Sequence, residues 1–119
     1  MPGKIVHVEF ACTDTDRAQR FWSGLFGWEF AGGMPEMDYR MAPITKSCAV
    51  AIFSSDQQTP GTPSYYYATD DIDASIARVR ELGGQAEERS PVPGHGWYTR
   101  CTDSEGNAFR LWQGDGSAA

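Results

Sequence analysis

Apolar and polar positions alternate from the start of the chain. In residues 5–12, Val6, Val8, Phe10 and Cys12 fall on one side of an extended strand, while Ile5, His7, Glu9 and Ala11 fall on the other. One face is apolar and its opposite carries titratable groups. The period then changes. Thr13-Asp14-Thr15-Asp16 supplies N-cap candidates and acids for a first turn, and Ala18, Phe21, Trp22, Leu25 and Phe26 recur at helical spacing until Gly27. Short strands are predicted at 28–30 and 37–44, separated by Gly32-Gly33 and Pro35, and Cys48 to Phe53 is a nearly continuous apolar run of strand length. The first half, about residues 4–53, therefore reads β-α-β-β-β.

The polar tract 54–63, with Gly61 and two prolines, interrupts the pattern and reads as a linker. The order then begins again. Ser64 to Thr69 is an aromatic strand, Asp70-Asp71 opens a helix bearing Ile72, Ile76, Val79 and Leu82, and Gly83-Gly84 closes it. An offset of 56 residues maps Asp14 onto Asp70, Ala18 onto Ala74 and Gly27 onto Gly83, as an internal duplication would. Strands are predicted at 85–89, 97–102 and up to Gln113, with a loop at 91–96 and a turn at Asp103 to Asn107. The second half, about 64–113, is again β-α-β-β-β. The small polar residues of the tail, 114–119, predict a mobile segment.

Composition narrows the function classes. A chain of 119 residues, 40% apolar with six Phe, five Tyr and four Trp, suffices for one compact domain with a core and a lined pocket. Its formal charge of −6 repels phosphate backbones and anionic lipid, so neither nucleic acid nor membrane is an expected partner. Cysteines at 12, 48 and 101 form no CxxC pair and are expected to be reduced structural thiols. No apolar leader precedes the first strand and no stretch is long enough to span a bilayer, so a cytoplasmic location is expected.

The doubled β-α-β-β-β order, together with Asp14 to Trp28 and its closing Leu25-Phe26-Gly27-Trp28, resembles the vicinal-oxygen-chelate superfamily, which includes glyoxalase I, bleomycin-resistance proteins and extradiol dioxygenases. Asp70-Asp71-Ile72-Asp73, Glu81-Leu82-Gly83-Gly84 and Asp103-Ser104-Glu105-Gly106-Asn107 resemble the phrases that open and close the second helix and form the last turn. The resemblance implies an α+β fold in which two tandem βαβββ modules form a curled mixed sheet around a ligand cleft. It also implies four His or Glu metal ligands on cleft-facing strands. His7 matches the first of those positions, but the others fall near Ser64, at Arg110 and within residues 48–53, which hold no His or carboxylate. A guanidinium stays protonated and cannot ligate a cation. The usual metal centre is therefore not expected; the alternative is a non-standard nickel, zinc, manganese or iron site built from His7, Glu9 and His95.

The candidate residues divide into two sets. His7 and Glu9 share a strand face and suit proton transfer, as does His95 on its glycine-flanked loop, with Arg110 available as a cation for Glu9. Tyr66, Trp97, Tyr98, Arg110 and Trp112 are the candidates for holding a ligand, since aromatic rings around a concave sheet stack on planar molecules. Core packing and ordinary hydrogen bonding compete with both readings at each position. The first functional expectation is a small-molecule-binding module akin to the antibiotic-sequestering branch. The second is a glyoxalase-like lyase or isomerase using His7 and Glu9 with or without a divalent metal. The resemblance also implies a homodimer.

Overall fold

Strand alternation and aspartate caps set the elements of this chain. The computed structural model describes residues 2–34, 38–54 and 60–119, and these hold nine strands and two helices. In order they are β1 (Ile5–Cys12), α1 (Thr15–Phe26), β2 (Ala31–Met34), β3 (Tyr39–Pro43), β4 (Ala49–Ser54), β5 (Ser64–Ala68), α2 (Ile72–Glu81), β6 (Gln85–Ala86), β7 (Ser90–Val92), β8 (Gly96–Thr102) and β9 (Ala108–Gly114). The class is α+β. The chain divides into two compact units, an amino-terminal one from Val6 to Ser64 and a carboxy-terminal one formed by Tyr65–Ala119 with the residues up to Ile5. Those first residues join the carboxy-terminal unit through bonds from Gly3 N to Ala68 O and from Ala68 N to Lys4 O.

In the amino-terminal unit the strands lie in the order β2-β3-β4-β1, with β1 parallel to β4 and the other pairs antiparallel. Asp14 caps α1 by accepting a hydrogen bond from Arg17 N, and Gly27 closes it in the left-handed region at φ 72°, donating to Ser23 O. Val50 and Ile52 are buried on the side of β4 that shares parity with the apolar side of β1. The strand expected at 28–30 begins instead at Ala31. The rings of Trp28 and Phe30 are used locally: Trp28 stacks on Trp22 and lies tilted against Phe26, at centroid distances of 5.1 Å each, and Phe30 meets Trp28 edge-on at 6.5 Å. The apolar stripe of α1 is only partly covered. Trp22 stacks on Phe10 at 5.0 Å, but Phe21, Leu25 and Phe26 are exposed. Within the expected linker, residues 55–59 lie outside the described residues, as does Met37 of the expected strand 37–44.

In the carboxy-terminal unit the order is β5-β9-β8-β6, with β5 parallel to β9, β8 antiparallel to β9, and β7 also paired to β8. Asp71 rather than Asp70 caps α2, so the helix starts stand 57 residues apart while the closing glycines, Gly27 and Gly83, stand 56 apart. Ile72, Ile76, Cys101 and Leu111 form the core, flanked by Tyr67, Val79, Ala86, Trp97 and Phe109. The helix entry is tied to β9 by Ile72 N donating to Gln113 Oε1 at 2.8 Å. One further expectation is corrected. The loop at 91–96 is a β7–β8 hairpin whose turn closes through His95 N to Val92 O, with Gly94 at φ 78°; Pro91 sits on the outer strand, where its missing N–H is tolerated. In the tail, Ala118 is buried and accepts from Gly94 N, and Asp115 N donates to His95 O.

Ile76→Ala empties the middle of the α2 core and is expected to lower unfolding free energy by about 2–5 kcal/mol in urea titration. Leu82→Ala, at a position 62% exposed, is expected to change it by less than about 0.5 kcal/mol.

Candidate functional site

The sequence-derived alternation of β1 holds in the structure. His7, Glu9 and Ala11 are in register with Ala49, Ala51 and Phe53 of β4, which in turn face Pro43, Met41 and Tyr39 of β3. These positions form the sheet face away from α1, where Tyr39, Ala51 and Phe53 make a buried cluster. Buried Glu9 cannot remain a lone carboxylate there without a cost of several kcal/mol. Part of its satisfaction comes from Tyr39, whose phenol donates to Glu9 Oε2 at 2.6 Å. The same phenol oxygen lies 2.6 Å from His7 Nε2. Because the phenolic proton is committed to Glu9, the consistent assignment makes His7 Nε2–H the donor to Tyr39, leaving Nδ1 as the basic nitrogen.

His7 and Glu9 approach to 3.8 Å, but this is not a simple ion pair. Burial lowers the His7 pKa below its ordinary 6.5 more strongly than the Glu9 charge raises it, so the ring is neutral near pH 7. The three groups therefore form a hydrogen-bonded chain from imidazole through phenol to carboxylate. Tyr39 was not among the residues singled out from the sequence. Its strand was, but only the pairing of β3 with β4 and of β4 with β1 carries a residue 30 positions away onto Glu9.

The second set of candidates lies in the carboxy-terminal unit and is sorted by the pleat. Tyr66 is in register with Arg110, Tyr98 with Trp112 and Arg100 with Arg110, so these five share the face away from α2. Arg110 Nη1 donates to the Tyr66 hydroxyl at 2.7 Å, and its guanidinium stands 5.3 Å from the Tyr66 ring centre. The Trp112 indole lies over Gly96, where an added Cβ would come within 2.7 Å of the ring. Arg100 was missed in the sequence reading although its parity with Tyr98 was available.

Trp97 does not join them. It faces α2, packs against the core, carries the Arg89 guanidinium 3.9 Å above its ring and donates from Nε1 to Asp115 at 3.2 Å. Adjacent residues of a strand point to opposite faces, so Trp97 and Tyr98 cannot serve one surface. His95 occupies the tight hairpin turn of the carboxy-terminal unit, bonded through both its N–H and its C=O.

Among the described residues no three His, Cys, Asp or Glu side chains come together as a metal-holding group. His7 and Glu9 are bridged by a phenol, β4 offers only Ala, Val, Ile, Phe and Ser, and the last strand presents Arg110. Among the thiols, Cys12 and Cys48 are half-buried and Cys101 is buried, with burial raising the Cys101 pKa to about 11. Burial raises the Cys12 pKa as well, so neither Cys12 nor Cys101 is a poised nucleophile.

Comparison with known proteins gives a consistent picture. A family profile described as a glyoxalase-like domain matches residues 7–112. A mycobacterial protein, "Putative glyoxylase CFP32" of Mycobacterium tuberculosis, is 31% identical over 118 residues, covering 89% of this chain but only 44% of its own length. The chain thus spans less than half of that curated relative. Among solved structures, methylmalonyl-CoA epimerase from Mycobacterium tuberculosis superposes with a TM-score of 0.71 at 17% identity, over 95% of this chain and 88% of that one. A glyoxalase/bleomycin resistance protein/dioxygenase superfamily member from Vibrio splendidus gives a TM-score of 0.70 at 18% identity, over 93% and 98% of the two chains.

The lowered His7 pKa has a measurable consequence. Below pH 6.5 the unfolded chain takes up a proton that the folded imidazole refuses, so His7 makes folding stability fall as pH drops through the window beneath 6.5. Urea midpoints measured between about pH 7 and pH 5 are expected to decline in the native protein, with a shallower decline in His7→Gln.

Proposed function

The chain belongs to the glyoxalase-like domain family, within the vicinal-oxygen-chelate superfamily, and on that premise we propose that it binds a small organic molecule on the sheet face that α2 leaves uncovered. The observation that carries this reading is the cross-strand ladder in which Tyr98 faces Trp112 and Tyr66 faces Arg110. Aromatic rings offer stacking area, and the guanidinium held by the Tyr66 hydroxyl offers a fixed donor. Gly96 supports it further, because a side chain there would displace the indole. The reading includes no four-ligand metal centre, since a permanent cation stands at the last-strand position and His7 and Glu9 are joined through Tyr39.

A binding module of this kind predicts that ligand-observed NMR against a panel of small aromatic compounds finds hits. Trp112→Ala is expected to weaken them at least about tenfold, while Tyr65→Ala, at an exposed position of opposite parity, leaves them unchanged. Hits indifferent to Trp112→Ala would place the binding elsewhere.

The hydrogen-bonded chain His7–Tyr39–Glu9 favours a second reading, proton transfer at a carbon beside a carbonyl, as a lyase or isomerase would need. His7 Nδ1 would take the proton, and the Tyr39 and Glu9 dipoles would stabilise the imidazolium formed. Deuterium incorporation from D2O into an oxoaldehyde–thiol adduct tests this. Exchange faster than buffer, reduced about 100-fold or more by His7→Gln, is the expected result for an enzyme, and exchange at the buffer rate would exclude this chemistry for that substrate.

The exposed Phe21, Leu25 and Phe26 of α1 support a homodimer as the working assembly. Native mass spectrometry is expected to give twice the subunit mass, reduced to the single mass by Leu25→Glu.

A further inference from the structure

Among the described residues, Asp38 is the one non-glycine residue with a positive φ, at 47°. The left-handed region costs a residue with a side chain free energy, and such residues persist where their surroundings over-determine them. The surroundings of Asp38 do so. Thr15, buried in the first turn of α1, directs its hydroxyl at the Asp38 carboxylate, 2.9 Å from Oδ2 and 3.1 Å from Oδ1. Asp38 immediately precedes Tyr39, and the residue on the other side of Tyr39 is bound to the same helix. Arg40 Nη2 lies 2.9 Å from Asp16 and 3.8 Å from Asp38, and its Nη1 donates to Gln19 Oε1 at 2.9 Å.

The pleat gives these bonds a consequence on the opposite face. Arg40 is in register with Ile52 and points to the α1 side of the sheet, whereas Tyr39 is in register with Phe53 and points away from it. Side chains anchored on one side thus fix the backbone from which the phenol projects on the other. Accuracy matters there, because the Tyr39 oxygen serves two partners at 2.6 Å each, His7 Nε2 and Glu9 Oε2. Tyr39 is also the first residue of β3, so the strand holds it from the carboxy-terminal side only. A glycine at position 38 would adopt φ 47° without cost, but it would offer Thr15 nothing to hold.

We propose that Asp38 is a positioning residue: clamped to α1 through Thr15, it sets the backbone at Tyr39 so that the phenol bridges His7 and Glu9. The proposal rests on the proton-transfer reading above and adds the device that holds the middle group of its hydrogen-bonded chain. Solution NMR of 15N-labelled protein at about pH 8, where the imidazole is neutral, reads the bridge, because a ring N–H held in a hydrogen bond is protected from exchange with water. The His7 Nε2 proton, assigned by its absence from His7→Gln, is expected to exchange slowly in the native protein. Thr15→Val keeps the shape of the side chain and removes its hydroxyl, and Asp38→Gly accepts the left-handed backbone and removes the carboxylate. Both are expected to keep near-native urea midpoints while the Nε2 proton exchanges at least about tenfold faster. Asp38→Asn tolerates the same backbone and still accepts from Thr15, so it should restore slow exchange. Slow exchange retained in either Thr15→Val or Asp38→Gly would overturn the clamp. Fast exchange in the native protein would overturn the bridge and the clamp together. Slow exchange lost in both variants, with native deuterium incorporation at the buffer rate, would support the clamp and overturn the proton-transfer reading.

Discussion

The structure depends on the pleat of its strands. Each unit covers one side of its sheet with a helix, and because side chains alternate, His7 and Glu9 in one unit and Tyr66, Tyr98, Arg110 and Trp112 in the other are confined to the opposite side. A slip of one residue between β8 and β9 would put Leu111 where Trp112 stands and drive Arg110 into the α2 core. The seven-pair antiparallel register from Gly96↔Gly114 to Thr102↔Ala108 resists that slip. It does so because Cys101, Thr99 and Leu111 are buried on the helix side, Thr99 with its hydroxyl satisfied by Glu87 O at 2.6 Å. The arrangement of the face away from α2 is therefore a consequence of how well the opposite face packs.

In the amino-terminal unit the same alternation creates an electrostatic obligation. It turns Glu9 inward beside alanines at 49 and 51, which can neither hydrogen-bond nor solvate a carboxylate through their side chains. Relatives with a full metal centre would meet such an obligation with a divalent cation. Here a phenol supplies one hydrogen bond to Glu9 and receives one from a neutral imidazole, and the desolvation that requires these bonds also keeps the imidazole uncharged. Charge, burial and tautomer are thus consequences of one local shortage of solvent.

Fold and function separate clearly in this molecule. The glyoxalase-like domain profile spans residues 7–112 and the structural neighbours agree at TM-scores near 0.7, so the frame is that of the family. The residues standing in the frame are this chain's own: His7, Glu9 and Tyr39 on one face, and Tyr66, Tyr98, Arg100, Arg110 and Trp112 on another. The frame decides which side chains share a face; those side chains decide what the face can hold.

Much was determined by local sequence, because local rules act over a few residues. Period-two alternation assigned His7 and Glu9 to one face and Tyr66, Arg110 and Trp112 to another; aspartate caps and closing glycines bounded both helices; and the repeated order identified the fold class. Tertiary structure decided what depends on pairing between distant segments. It brought Tyr39 onto Glu9 across two strand ladders, sent Trp97 to the core while Tyr98 took the opposite face, and set Arg100 against Arg110. It also spent Trp28 and Phe30 on an aromatic cluster instead of a strand, and closed 91–96 as a hairpin with the tail folded against it. Each of these outcomes turns on which backbone groups find partners across the sheet and which surfaces are then left to bury. No window of neighbouring residues contains that information.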